Sequence, residues 1–105
     1  MPIFRKKQKY SIGTLGPIDI RREAIRSLGT DDTNRKLIEW TMGSNTPVFM
    51  ANHPDHGSML MIQSSSGARW VTPGSWVVRF TPMDFLCVSH VQFINDYEPV
   101  DARCV

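Results

Sequence analysis

The stretch WVTPGSWVVRF, residues 70–80, constrains this chain more than any other. From Ser75 onward, Trp76, Val78 and Phe80 fall on one face of an extended segment and Ser75, Val77 and Arg79 on the other, the period of two that a strand requires. Pro73 has no N–H to give to a ladder and belongs at a strand end. Gly74 tolerates the positive φ that such a corner demands. The stretch therefore reads as a strand over Arg69–Val71, a corner, and a second strand over Trp76–Phe80. Thr81-Pro82-Met83-Asp84, with proline in the second position, suits a type I turn. Residues 85–89 then return antiparallel.

Two helices frame this ribbon. Thr30, Asp31 or Asp32 caps an amphipathic helix over about 31–42. Its inward stripe is Leu37, Ile38, Thr41 and Met42, Trp40 flanks it, and Gly43 is a ready stop. Ser89 and Gln92 form a capping box for a short C-terminal helix over about 90–97. That helix carries Phe93, Ile94 and Tyr97 on one side, and Pro99 ends it. Residues 18–28 alternate at their start, but Ala24, Ile25 and Leu28 would also suit a helix; a strand ending before Gly29 is the favoured reading. Residues 46–51 make a short strand, 52–57 a turn, and the apolar run 58–63 a central strand covered on both faces. Residues 64–67 are a second turn. The fold class is α+β, with a mostly antiparallel sheet of about four to six short strands. Residues 1–16 read as a basic N-terminal tail or loosely held strand, 17–100 as a single domain and 101–105 as a C-terminal tail.

The chain has 105 residues, 41% of them hydrophobic and 21% charged, which supports a core. A domain of this size buries only roughly two-thirds of its unfolded surface, so homo-oligomerisation would be a natural supplement. A net charge of +2 is too small to argue for strong nucleic-acid binding. Cys87 and Cys104 are the two cysteines, too few for a disulfide framework. The basic residues near the N-terminus are followed by no apolar run, and no segment approaches the ~18 apolar residues of a membrane span. The expectation is a protein of a reducing cytoplasm with no membrane partner.

The most chemical-looking cluster is His53-x-x-His56 with Asp55 between. Histidines at short spacing bind metals, but a structural site needs four ligands, and His90 and the two cysteines alone remain to complete it. A solvated loop is the expectation, with ligand contact by His53 and His56 as the alternative and no metal assigned. Cys87 alternates with Phe85 and is expected to be an inert, packed thiol. Arg22, Arg26, Arg69 and Arg79 sit on strand segments, and arginines sharing a face make a pocket for anions. Trp70 could lie on either face: core packing is the expectation, and stacking on a base or anchoring a partner the alternative. The N-terminal cluster Arg5, Lys6, Lys7 and Lys9 is solvated or touches phosphates. No catalytic constellation and no cofactor-binding loop is read.

The residues TPGSWVVRF, FLCVS and FINDYEPV resemble a family of small, uncharacterised phage-encoded proteins. Their C-terminal half reads P-G-D-W-[VI]-[VI]-R, a strand, and a helix ending F-x-x-x-Y-E-P-V; the related PGDYG-type domain has the same turn. The matching positions are Pro73, Gly74, Trp76, Val77, Val78 and Arg79, then Phe93, Tyr97, Glu98, Pro99 and Val100. Arg5, Lys6 and Lys7, then Glu23, Ala24 and Ile25, and residues 36–40 extend the match more weakly. Ser75 replaces the family's usual aspartate, and Thr81-Pro82-Met83-Asp84 its Gly-Glu turn. The resemblance implies a role in the cytoplasm of an infected bacterium and brings no catalytic residues. The expected function is a non-enzymatic accessory protein that binds and modulates a host bacterial protein. The alternatives are a sponge for an anionic nucleotide signal, held by Arg69, Arg79 and Trp70, and a weak nucleic-acid binder working through the N-terminal basic residues.

Overall fold

The computed structural model describes residues 3–6, 21–64 and 67–99. The alternation that opens the sequence becomes β6 (Trp76–Thr81), which pairs antiparallel with β7 (Asp84–Val88) through Trp76↔Val88 and Val78↔Leu86, with an irregularity between Arg79 and Thr81. On its other side β6 pairs with β2 (Arg21–Arg26), β2 with β1 (Ile3–Lys6), and β1 with β8 (Tyr97–Pro99), giving a five-stranded antiparallel sheet in the order β7-β6-β2-β1-β8. β3 (Val48–His53), β4 (Gly57–Ser64) and β5 (Gly67–Val71) form a second, three-stranded antiparallel sheet. The α+β class is as expected; the eight described strands exceed the four to six foreseen.

The helix α1 (Asp31–Thr41) starts where Thr30 accepts the Thr33 N–H at 3.2 Å, with Asp31 and Asp32 against the positive end of the dipole. Thr33, Leu37 and Thr41 are its buried face, while Met42, expected in the inward stripe, is the C-cap and 70% exposed. Gly43 follows at φ +80, the left-handed stop that glycine allows. α2 (His90–Asp96) starts as its capping box requires, with the Ser89 hydroxyl accepting the Gln92 N–H. It ends one residue earlier than expected, because Tyr97 turns extended and begins β8. Pro99 pairs with Phe4 on this edge strand, where a missing N–H costs little. Ile94 is exposed, and Phe93 alone is the buried residue of α2.

Val77 and Val78 show how the layers stack. They are consecutive in β6, 0% and 2% exposed, and point to opposite faces. Val77 joins Leu37, Val48, Leu60, Ile62, Val71 and Phe85 in a core between α1, the small sheet and one face of the large one. Val78 joins Phe4, Ala24, Val88 and Phe93 on the opposite face, beneath α2. The strand covered on both faces is therefore β6. In β4, Leu60 and Ile62 are buried while Met59 and Met61 are half-buried, because a core lies on one side only. Residues 3–6, read as a tail or loose strand, are paired on both sides, and Phe4 packs edge-on against Trp76 and Phe93 with centroids 5.1 and 4.8 Å apart. No helix among the described residues is long and apolar enough to cross a membrane.

Candidate functional site

The β3–β4 hairpin closes through Pro54, Asp55 and His56, with Gly57 at φ +74 opposite His53. The Asp55 N–H donates to His53 Nδ1 at 3.0 Å, so the proton of the neutral ring resides on Nε2. The His53 and His56 rings lie 4.7 Å apart, and His53 is also 4.7 Å from the ring of Trp70, which reaches it from β5. Three aromatic groups separated by up to seventeen residues of sequence thus form one cluster.

The opposite wall comes from the corner at Pro73 and Gly74. Ser27 donates its N–H to Ser75 O at 2.8 Å and accepts the Gly74 N–H at 2.6 Å, which pins the end of β2 to that corner. Gly29 at φ +74 then passes so close to Pro73 that a Cβ on it would stand 3.0 Å from Pro73 Cγ. Thr72 and Ser75 share a hydroxyl–hydroxyl hydrogen bond at 2.8 Å, so Ser75 keeps a side-chain link across the turn where the family resemblance has aspartate. Between these walls, with Asn34 of α1 at one side, is a cavity of about 540 Å³. Among the described residues its lining contains no lysine or arginine. What it offers is ring faces and neutral hydrogen-bonding groups.

The strand arginines do not converge on it. Arg69 neighbours Trp70 on β5 and so projects to the other face, opposite Ile62, beside a separate cavity of about 370 Å³ that also touches Cys87. Arg79 pairs with Glu23 at 3.0 Å on the inner face of the large sheet, its guanidinium over the rings of Trp40 and Phe85. Arg26 lies over Trp76 and donates Nε–H to Gly74 O at 3.1 Å, and borders a wider cavity of about 720 Å³ along with Lys36, Glu39 and Trp40. Arg22 sits opposite Phe4 on β1. The anionic pocket expected from these four residues is not assembled, because neighbouring strand positions alternate and the arginines fall on different faces of two sheets.

Of the N-terminal basic cluster, Arg5 pairs with Glu98 at 2.6 Å; Lys7 and Lys9 lie outside the described residues, as does Cys104, while Lys6 ends β1. Cys87 is half-buried against the core, and burial pushes its thiol upward from its ordinary range, against smaller opposing pulls from the Arg69 charge and the Ser75 hydroxyl. Among the described residues no three of His, Cys, Asp and Glu gather as metal ligands.

One feature went unread in the sequence. On the outer face of the small sheet, Phe49, Met61 and Trp70 stand in a single cross-strand row, and Ala51 pairs with Met59 in the next. Phe49 is 37% exposed. Among the described residues, the core clusters contain none of these five, and both helices pack elsewhere. The alternation of β3 carried the signal, but a short strand of mixed residues reads the same whichever face is covered. No family model, curated protein or solved structure matches the chain.

Proposed function

We propose that this chain is a non-enzymatic binding protein, a phage accessory factor that engages and modulates a host bacterial protein through the outer face of its small sheet. The carrying observation is the row Phe49–Met61–Trp70. Such cross-strand rows of large side chains on an antiparallel sheet face supply the aromatic and methionine contacts that protein interfaces favour. Partner binding would remove this area from water, at about 25 cal/mol for each Å² of apolar surface buried. The phage setting rests on the motif resemblance in the last third of the chain.

The test is native mass spectrometry of the protein isolated from a bacterial host, beside a Phe49→Asp, Met61→Asp double variant. A near-stoichiometric protein partner retained by the parent chain and lost from the variant is the expected result. No such partner, or equal retention by the folded variant, would overturn the reading.

A further inference from the structure

Beside that protein-binding surface, and sharing Trp70 with it, we infer that the cleft between the His53–His56–Trp70 cluster and the Pro73 corner is a small-molecule site for a planar nitrogen heterocycle carrying no negative charge, of the nucleobase or nucleoside class. Three observations carry it.

The first is shape and size. At about 540 Å³ the cavity is in the range of ligand pockets, roughly 300–1,000 Å³. Its far wall is fixed: the two backbone bonds between Ser27 and the 74–75 segment and the close passage of Gly29 by Pro73 hold it against the β5 end. A wall held by main-chain bonds is organised before a ligand arrives, which lowers the cost of binding.

The second is ring chemistry. Trp70 and His53, tilted 59° to each other at 4.7 Å, offer π-faces on which a heterocycle stacks without regard to its substituents. The Asp55 N–H on Nδ1 leaves His53 with a donor on Nε2. Asn34 brings a donor and an acceptor in one group, and Thr72 a hydroxyl. Ring nitrogens and exocyclic oxygens or amines are recognised by such pairs.

The third is charge, and it separates this inference from an anionic-signal site. Among the described residues the lining has no lysine or arginine, and Arg69 and Arg79 lie on other faces. Among the described residues the lining carries no carboxylate either, so a phosphate entering this cleft finds a wall without a guanidinium to pair with. The wall offers contacts to the ring and no pairing cation to a phosphate.

The experiment follows the histidine ring and tryptophan indole NMR signals of the full chain on titration with adenosine, guanosine, cytidine and uridine, and with their 5′-monophosphates. At least one nucleoside is expected to shift His53, His56 and Trp70 in a saturable manner, with its monophosphate binding no more tightly. Trp70→Ala should weaken binding at least tenfold. His56→Ala, in an exposed turn, should weaken it severalfold while the remaining signals report an intact fold. Phe49→Asp should leave nucleoside binding unchanged, so the cleft and the partner surface fail or stand separately. The inference is overturned if none of the four nucleosides shifts these signals at millimolar concentration. It is equally overturned if a monophosphate binds tenfold tighter than its nucleoside, or if Trp70→Ala retains parental affinity.

Discussion

The ring of Pro73 occupies the space into which a side chain on Gly29 would grow, with Pro73 Cγ 3.0 Å from the position of a Cβ there. Gly29 is also at φ +74, so two constraints fall on one residue. They separate by comparison with Gly43, which has φ +80 and nothing within 4 Å of its Cβ position. Gly43→Ala should cost about 1–2 kcal/mol, the left-handed penalty for an L-residue. Gly29→Ala should cost more, by about 1–3 kcal/mol of overpacking. Urea denaturation of the two variants measures the difference. Adding Pro73→Ala to Gly29→Ala should recover part of it, and equal costs for the two glycines would show that Pro73 gives way freely.

The Thr41 hydroxyl joins helix to sheet. It donates to Leu37 O at 2.8 Å and accepts the Val48 N–H at 2.9 Å, in a position that is 0% exposed. Thr41→Val keeps the shape and deletes the acceptor, leaving a buried backbone N–H unsatisfied at a cost of about 1–3 kcal/mol. Thr41→Ser keeps the oxygen and should lose less. The same denaturation experiment checks both, with hydrogen exchange at Val48 expected to accelerate in Thr41→Val and to stay closer to parental in Thr41→Ser.

How much of this was legible depends on which residues carried local instructions. The ribbon from 76 to 88 was readable because alternation and turn chemistry agree with each other and with burial. The caps at Thr30 and Ser89 were readable for the same reason: each acts on an N–H three residues away. What could not be read is set by register between distant segments. Strand β8 forms because Tyr97–Pro99 finds β1, over ninety positions away by sequence, and no local pattern announces that. The same holds for the site. The sequence marks His53, His56 and Trp70 one by one, yet their meeting depends on the β3–β4 turn and on the pairing of β4 with β5. Residue type alone groups Arg69 and Arg79 with Trp70, whereas the pleat sends Arg69 to the opposite face and the two-sheet division puts Arg79 beside Glu23.

Beneath α2, Trp76 stacks on Phe93 with centroids 4.0 Å apart and planes 7° from parallel, and Phe93 on Tyr97 at 5.0 Å. The Trp76 Nε1–H donates to His90 Nδ1 at 3.1 Å. Phe93 is 3% exposed, so Phe93→Ala should cost about 3–5 kcal/mol through lost burial and the cavity left behind. His90→Ala should cost far less, about 0.5–1.5 kcal/mol for one partly buried hydrogen bond. Thermal unfolding followed by tryptophan fluorescence ranks them. A small loss in Phe93→Ala would mean that α2 contributes little to covering this face of the large sheet.

Cys87 links burial to pH. Its thiol is raised above its ordinary range chiefly by desolvation, with Arg69 and Ser75 pulling weakly the other way. In the unfolded chain a cysteine ionises near pH ~8.5, whereas the folded protein holds this one neutral to a higher pH. The folded state therefore binds the extra proton in that window, and stability falls as pH rises through it. Below the unfolded value the contribution is fully present. The parent chain and Cys87→Ala should accordingly show a constant stability difference from pH 6 to about pH 8. Above about pH 8.5 the parent should lose stability more steeply than the variant. Iodoacetamide gives an independent check, since the thiolate is the nucleophile. At pH 7.5, mass spectrometry should find Cys87 alkylated more slowly in the folded chain than in the same chain in urea. Equal rates, or parallel stability curves through pH 10, would mean that the core around Cys87 admits water and leaves its thiol free to ionise.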